Sequence, residues 1–200
     1  MRYLEYAAKN MRSIEWDGIR DVPMSGVRVH DLTDLPIPLI KDNTYDGVYS
    51  EHFIEHLTKD EGVALLEETF RILKPGGTVK TVWPSMDFVE RLQSDEDMEQ
   101  DQFVQHYYQF YIQKEHFQPK GFTAERKQDY CAAGLLHQKG EHKHLWYTTE
   151  MIETLKDLGY TKVKMMNYQD SRLPAFRGID TPGSIRAAHS ATVEAVKPWR

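Results

Sequence analysis

The stretch from Tyr45 to Trp83 most constrains what this chain can fold into, because it spells strand, capped helix, stop and strand without a break. Tyr45-Asp46-Gly47-Val48-Tyr49-Ser50 reads as a strand. Thr58 stands three residues before Glu61, the spacing of a capping box in which each side chain bonds the other's backbone N–H. Val63, Leu66, Phe70 and Leu73 then keep helical spacing up to the stop signal Lys74-Pro75-Gly76-Gly77, and Thr78–Trp83 reads as the next strand. Upstream, Val27–His30 alternates like a short strand ending at Asp31, and Pro36, Pro38 and the turn Asp42-Asn43 separate it from the strand at Tyr45. Strands that alternate with helices of this length call for right-handed crossovers, and so for an α/β chain with a mainly parallel sheet.

The other regions fill in the architecture. Residues 84–147 are rich in Tyr, Gln and His and hold no clear strand, so they are expected to be helices and loops laid over the sheet as a lid. There Phe103, Tyr107, Tyr108 and Tyr111 have helical spacing and are read as packing. Thr149 opens a short helix that Gly159 stops, and Tyr160–Met166 is a strand. After a Pro/Gly-rich connection from Leu173 to Gly183 comes a final strand, Ser190–Val196. Two strands joined without a helix are expected to pair antiparallel at a sheet edge. Two hundred residues suit a single domain spanning 1–200.

Composition narrows the function. The 25 basic residues are scattered among 31 acidic ones, for a net charge of −6, so no basic face points to a nucleic-acid partner. No run approaches the roughly 18 apolar residues of a membrane helix, the first residues lack a signal-peptide core, and Cys131 is the only cysteine; a cytoplasmic protein with no membrane partner is expected. Only 40% of the residues are apolar, and mean hydropathy is −0.64, which points to a thin core or a missing apolar element.

The runs HDLTDLPIP, DNTYDGVYSEHFIEHL and EGVALLEETFRILKPGGTVKTVWP, in this order, resemble the middle of class I S-adenosylmethionine-dependent methyltransferases. HKHLWYTTEMIETLKDLGYTKV, DSRLP and VEAVKPW are similar to the tail of one subgroup of predicted methyltransferases, so the likeness spans about residues 13–83 and 142–198. It implies a Rossmann-like methyltransferase sheet with an antiparallel edge strand, and S-adenosylmethionine as cofactor. The family's G-x-G-x-G loop after strand one is absent, since the first glycine is Gly18. If Ser13–Asp17 is strand two, then either strand one lies upstream of Met1, or Tyr3–Ala7 serves as a degenerate version; a late start or local divergence is the favoured expectation.

On this resemblance Asp17 accepts from the ribose hydroxyls, Asp31 from the adenine amino group with Leu32 beside the ring, and the backbone of Ser50, Glu51 and His52 lines the methionine part. His144, and after it His142, are the candidate general bases for a hydroxyl or amine acceptor. Glu55 and His56 are read as fastening the helix that follows. His52–His56 also spells H-x-x-E-H, but a zinc peptidase needs both histidines on one helix face, and the helix signal begins only at Thr58; no metal is expected. The implied function is methyl transfer to a hydroxyl, carboxyl or amine of a small molecule or saccharide. The alternative is a catalytically impaired methyltransferase-fold protein that binds a partner.

Overall fold

The computed structural model describes residues 1–8, 12–113 and 121–199. A seven-stranded sheet runs through it, formed by β1 (Tyr3–Tyr6), β2 (Trp16–Arg20), β3 (Arg28–Val29), β4 (Tyr45–Glu51), β5 (Leu73–Pro84), β6 (Thr161–Met165) and β7 (Ser190–Val196). The strand order is β3-β2-β1-β4-β5-β7-β6. β1 through β5 are mutually parallel, and β7 pairs antiparallel with both β5 and β6. The mainly parallel sheet with an antiparallel edge therefore stands as the sequence predicts.

Of the two readings of strand one, the structure has the degenerate strand. β1 lies at the centre, with Leu4 opposite both Asp17 and Val48. It is short but well buried: Tyr3, Leu4 and Tyr6 are buried and Glu5 is half-buried. The turn that follows places Ala7 at φ +52° and buries Ala8, and Gly18 on β2 makes room: a Cβ there would lie 2.7 Å from that of Ala8. The positions that would continue a glycine loop, 9–11, lie outside the described residues. Left-handed backbone costs a non-glycine residue about 1 kcal/mol or more, partly offset by glycine's extra freedom in the unfolded chain. Ala7→Gly is accordingly expected to gain about 0.5 kcal/mol in urea unfolding, and the β-branched Ala7→Val to lose about 1–2 kcal/mol.

The helices are α1 (Lys59–Ile72), α2 (Met86–Ser94), α3 (Gln102–Tyr107, continued by a π-type turn to Ile112), α4 (Lys127–His137), α5 (Thr148–Asp157) and α6 (Ser184–His189). α1 has the predicted capping box between Thr58 and Glu61. Its buried stripe is Gly62, Leu65, Leu66, Thr69 and Ile72 rather than the one read from Val63 and Phe70, which remain partly exposed at its border. α1 and α5 cover one sheet face, packing Leu65, Leu66, Ile72, Met151 and Leu155 on Val48, Val79, Trp83 and Val193.

The other face is covered differently. Residues 168–181 cover it with a single 3-10 turn at Pro174–Phe176. Phe176 lies against Gly47, where a Cβ would approach its ring to 2.6 Å. Phe176 itself packs among Tyr3, Trp16 and Tyr49, and polar contacts fasten the rest of the strap: Lys80 with Asp180, Glu51 with Tyr168 and Thr181, and Glu194 with Ser171 and Arg172. A polar strap takes the place of a second apolar helical layer.

Candidate active site

Parallel strands that end together leave a crevice beyond their carboxyl ends, where α/β proteins bind ligands. Two cavities open there. The first, of about 260 Å3, is bordered by Ala7, Arg20, Asp21, Asp31, Leu32 and Phe53, with His56 and Lys143 closing one side. The second, of about 190 Å3, is lined by His52, Glu55, His56, Tyr107, His142 and His189, with Arg186 and Tyr111 also on its wall. His56 borders both.

In the first cavity the acid at the end of β2 is Asp21, not Asp17. Asp17 sits at the amino end of the strand, where it accepts from Arg2 Nε and from the Tyr45 hydroxyl, both at 2.8 Å. Its assignment to a ribose is therefore corrected: β2 runs Trp16–Arg20, so the strand ends three residues beyond Asp17 and Asp21 is the acid that follows it. Asp21 is exposed and borders the cavity. Asp31 lies where predicted, but its Oδ1 accepts from both the N–H and the hydroxyl of Thr33, a turn cap that holds the carboxyl below its usual range. Leu32 is buried at the wall. Arg20 Nη1 donates to the Ala8 carbonyl, while its Nε is buried without a partner.

The three residues at the end of β4 part company. Ser50 is buried within the sheet, 3.4 Å from the Thr81 hydroxyl. Glu51 turns to the strap side and accepts from the Tyr168 hydroxyl and from the Thr181 N–H and hydroxyl; burial would raise its pKa, but these donors and nearby Arg186 hold it below the usual value. Neither borders the first cavity, since alternation in β4 sends their side chains to opposite faces of the sheet. His52 breaks the strand at φ +51°, donates its N–H to the Val82 carbonyl, and faces the second cavity with Nε2 2.8 Å from Ser190 Oγ.

The second cavity collects groups from distant parts of the chain. Glu55 is wholly buried, neither carboxylate oxygen has a hydrogen-bond partner, and burial pushes its pKa up to about 8. His52 Nδ1 stands 3.7 Å and His56 Nε2 4.0 Å from Oε1. His142 packs edge-on against the His56 ring at 5.0 Å between centroids, and burial brings its pKa down to about 4. Burial likewise lowers His52, His56 and His189, the last to about 4, so the cavity presents neutral imidazoles.

Of the two predicted bases, only His142 is in this cavity. His144 points away, with Nε2 3.1 Å from Glu150 Oε2 and its ring edge-on to Trp146. Its Glu150 partner is shared with Lys59, which makes His144 part of a surface ion-pair group joining α1 to α5. His56, read as structural, is the junction of the two cavities, and Arg186 and His189 carried no signal in the sequence because only the antiparallel return of β7 brings α6 over the end of β4. The aromatic residues behave as packing, Phe103 stacking on Tyr107 and Tyr107 on Tyr111, although the last two also line the cavity.

Comparison with known proteins agrees with the fold. A family model described as a methyltransferase domain matches residues 4–80. Among solved structures, an S-adenosylmethionine-dependent methyltransferase from Archaeoglobus fulgidus superposes with a TM-score of 0.55 at 16% identity, over 98% of this chain and 86% of that one. A complex of the Haloferax volcanii Trm112 methyltransferase activator with a methyltransferase gives 0.53 at 16%, over 98% and 82%. Phosphoethanolamine N-methyltransferase 2 of Haemonchus contortus, bound to S-adenosylmethionine, gives 0.51 at 14%, over 98% of this chain and 48% of that one. No curated protein matches the sequence. The strand order and these likenesses show that the chain has the fold of the class I S-adenosylmethionine-dependent methyltransferases.

Proposed function

We propose that this chain is a methyltransferase that uses S-adenosylmethionine to methylate a hydroxyl, carboxyl or amine of a small molecule or saccharide. The observation that carries the reading is the junction: a cleft beyond β1–β3 and an acceptor-sized cavity beyond β4 and β5 meet at His56. The residues fit the cofactor, because Asp21 is an exposed acid at the cleft, Asp31 has Oδ2 free of the Thr33 cap, and the partnerless Arg20 Nε suits a carboxylate. In this reading Asp21 holds the ribose hydroxyls, Asp31 Oδ2 the adenine amino group, Leu32 the ring and Arg20 the amino-acid end.

Bound there, S-adenosylmethionine supplies a sulfonium methyl for in-line transfer. The protein's share is then to hold the acceptor in line and keep water out. Tyr107, Tyr111 and His142, from the segment read as a lid, do this as walls of the second cavity. His142 Nδ1 lies against the Leu135 carbonyl, which fixes the ring so that Nε2 can accept a proton from an acceptor hydroxyl. Its lowered pKa makes it a weak base, so positioning carries more of the rate than proton removal.

Calorimetry with S-adenosylhomocysteine tests the cofactor site. Asp21→Ala is expected to weaken binding about tenfold, equal to about 1.4 kcal/mol, the low side of a hydrogen bond to a charged group. Asp17→Ala, at the far end of β2, leaves affinity unchanged. No heat from the wild-type protein at high micromolar ligand would sink the reading and favour the rival, a methyltransferase-fold binding protein without catalysis, for which the missing glycine loop speaks.

A further inference from the structure

Glu55 presents a problem that methyl transfer does not solve. A buried carboxyl group with no hydrogen-bond partner is costly even when protonated, and such groups in folded proteins are paired or bind a metal. Both oxygens of Glu55 lack a partner. Arg186 does not supply one, since its nearest acid is Glu51, at 3.8 Å.

The imidazoles around Glu55 show the same incompleteness. His56 Nδ1 lies 3.1 Å from the Glu141 carbonyl, and His142 Nδ1 lies against the Leu135 carbonyl. A carbonyl only accepts, so in each ring the proton resides on Nδ1 and the lone pair on Nε2. That is the tautomer of a metal-binding histidine whose second nitrogen is held by a backbone carbonyl. One ligand atom from each of Glu55, His56 and His142 lies within 4.8 Å of the others. Bonds of about 2.1 Å to a tetrahedral ion would bring such atoms to about 3.4 Å apart, a contraction within reach of small side-chain rotations.

We propose that Glu55, His56 and His142 bind a first-row transition-metal ion of the zinc type. Two imidazoles and one carboxylate are a donor set for zinc and its neighbours rather than for magnesium or calcium, which take oxygen ligands. The ion lies at the wall of the acceptor cavity, with its remaining positions left for water or for an oxygen of the acceptor; when it is bound, the His142 Nε2 lone pair goes to the metal and no longer serves as a base, and metal-bound water takes over that task. His52, with Nδ1 3.7 Å from Glu55 Oε1, stands at the edge as a third nitrogen outside this group. The H-x-x-E-H spacing does not build this site as it does in a peptidase: His52 ends the strand, Ile54–His56 is one 3-10 turn, and His142 comes from the far side of the lid. The site thus departs from the sequence expectation of no metal. It is independent of the cofactor cleft, apart from His56.

The test uses the full chain, stripped with chelator and dialysed. Zinc titration by calorimetry is expected to show one equivalent bound at micromolar affinity or tighter, and cobalt to give the visible ligand-field bands of a low-symmetry N/O site. His142→Ala and Glu55→Gln should each weaken zinc by at least tenfold and abolish the cobalt bands, while His144→Ala, on the Glu150 ion pair, leaves both intact. If Glu55→Gln does not fold, His56→Ala replaces it, and a zinc-dependent rise in Tm confined to the wild type and His144→Ala gives the same answer. No stoichiometric zinc uptake by the folded wild type, or uptake unaltered in His142→Ala and the second variant, overturns the proposal. Calorimetry with S-adenosylhomocysteine on the same samples separates this result from the methyltransferase reading: zinc without homocysteine derivative sinks only the latter, and the converse sinks only the metal site.

Discussion

Asp180→Ala is expected to remove about 3–5 kcal/mol of stability, a large part of the 5–15 kcal/mol typical of a folded domain. Lys80 and Asp180 are both wholly buried, with Nζ 2.8 Å from Oδ2. Without the carboxylate, the ammonium keeps only the Phe176 carbonyl at 3.4 Å and the face of Tyr49 at 5.9 Å, neither of which balances a desolvated charge. The loss is twofold, because Asp180 Oδ2 also accepts the Gln169 N–H and so anchors the strap that covers this face. Replacing both members should cost less than replacing one: in Lys80→Met with Asp180→Leu no charge is left buried alone. Urea unfolding followed by circular dichroism measures the four corners of the cycle. A loss under about 1 kcal/mol in Asp180→Ala would mean that water reaches Lys80 and that the strap does not seal the sheet.

The sheet and its direction were legible because local signals agreed. The capping box and the two antiparallel strands at the end form where their residues call for them, whereas α1 already ends at Ile72, Lys74–Gly77 lies inside β5, and α6 joins β6 to β7 where a connection without a helix is expected. Positions within strands were harder. Asp17 and Asp21 flank the same five-residue strand, and one sequence has no means of showing which acid closes it; the ends became visible only when Leu4 paired with Asp17 and Val48. Lys80 reads as a surface residue by type, yet lies at the centre of β5, buried by a strap whose partner acid is 100 residues away. The candidate site was half legible for the same reason. Asp31, Leu32 and His52 mark the carboxyl edge through strand ends, whereas His142, Arg186 and His189 arrive by long-range packing with no local pattern. The low apolar fraction did not record an absent central strand, because β1 is present and buried at the centre of the sheet.

Trp83→Ala is the second large effect, expected to cost about 3–5 kcal/mol as the removal of a buried tryptophan from a close-packed core. Trp83 is wholly buried near the end of β5, where it joins the cluster of Trp146, Val79 and Ala191, and its Nε1 donates to the Trp146 carbonyl at 2.9 Å. That carbonyl also accepts the Met86 N–H at 3.1 Å, so Trp83→Phe leaves it satisfied and should cost only about 1 kcal/mol, a single hydrogen bond. The two variants thus separate packing from bonding at one position. They also reach the candidate site, because the strand ending in Pro84 and the segment carrying His142 to Trp146 both border the second cavity or lead into it. Hydrogen exchange at residues 142–148 should accelerate in Trp83→Ala under conditions where α1 remains protected, and stay near the wild-type rate in Trp83→Phe. Uniform acceleration across α1 and this segment would show that Trp83 holds the core as a whole and does not fasten His142 in particular.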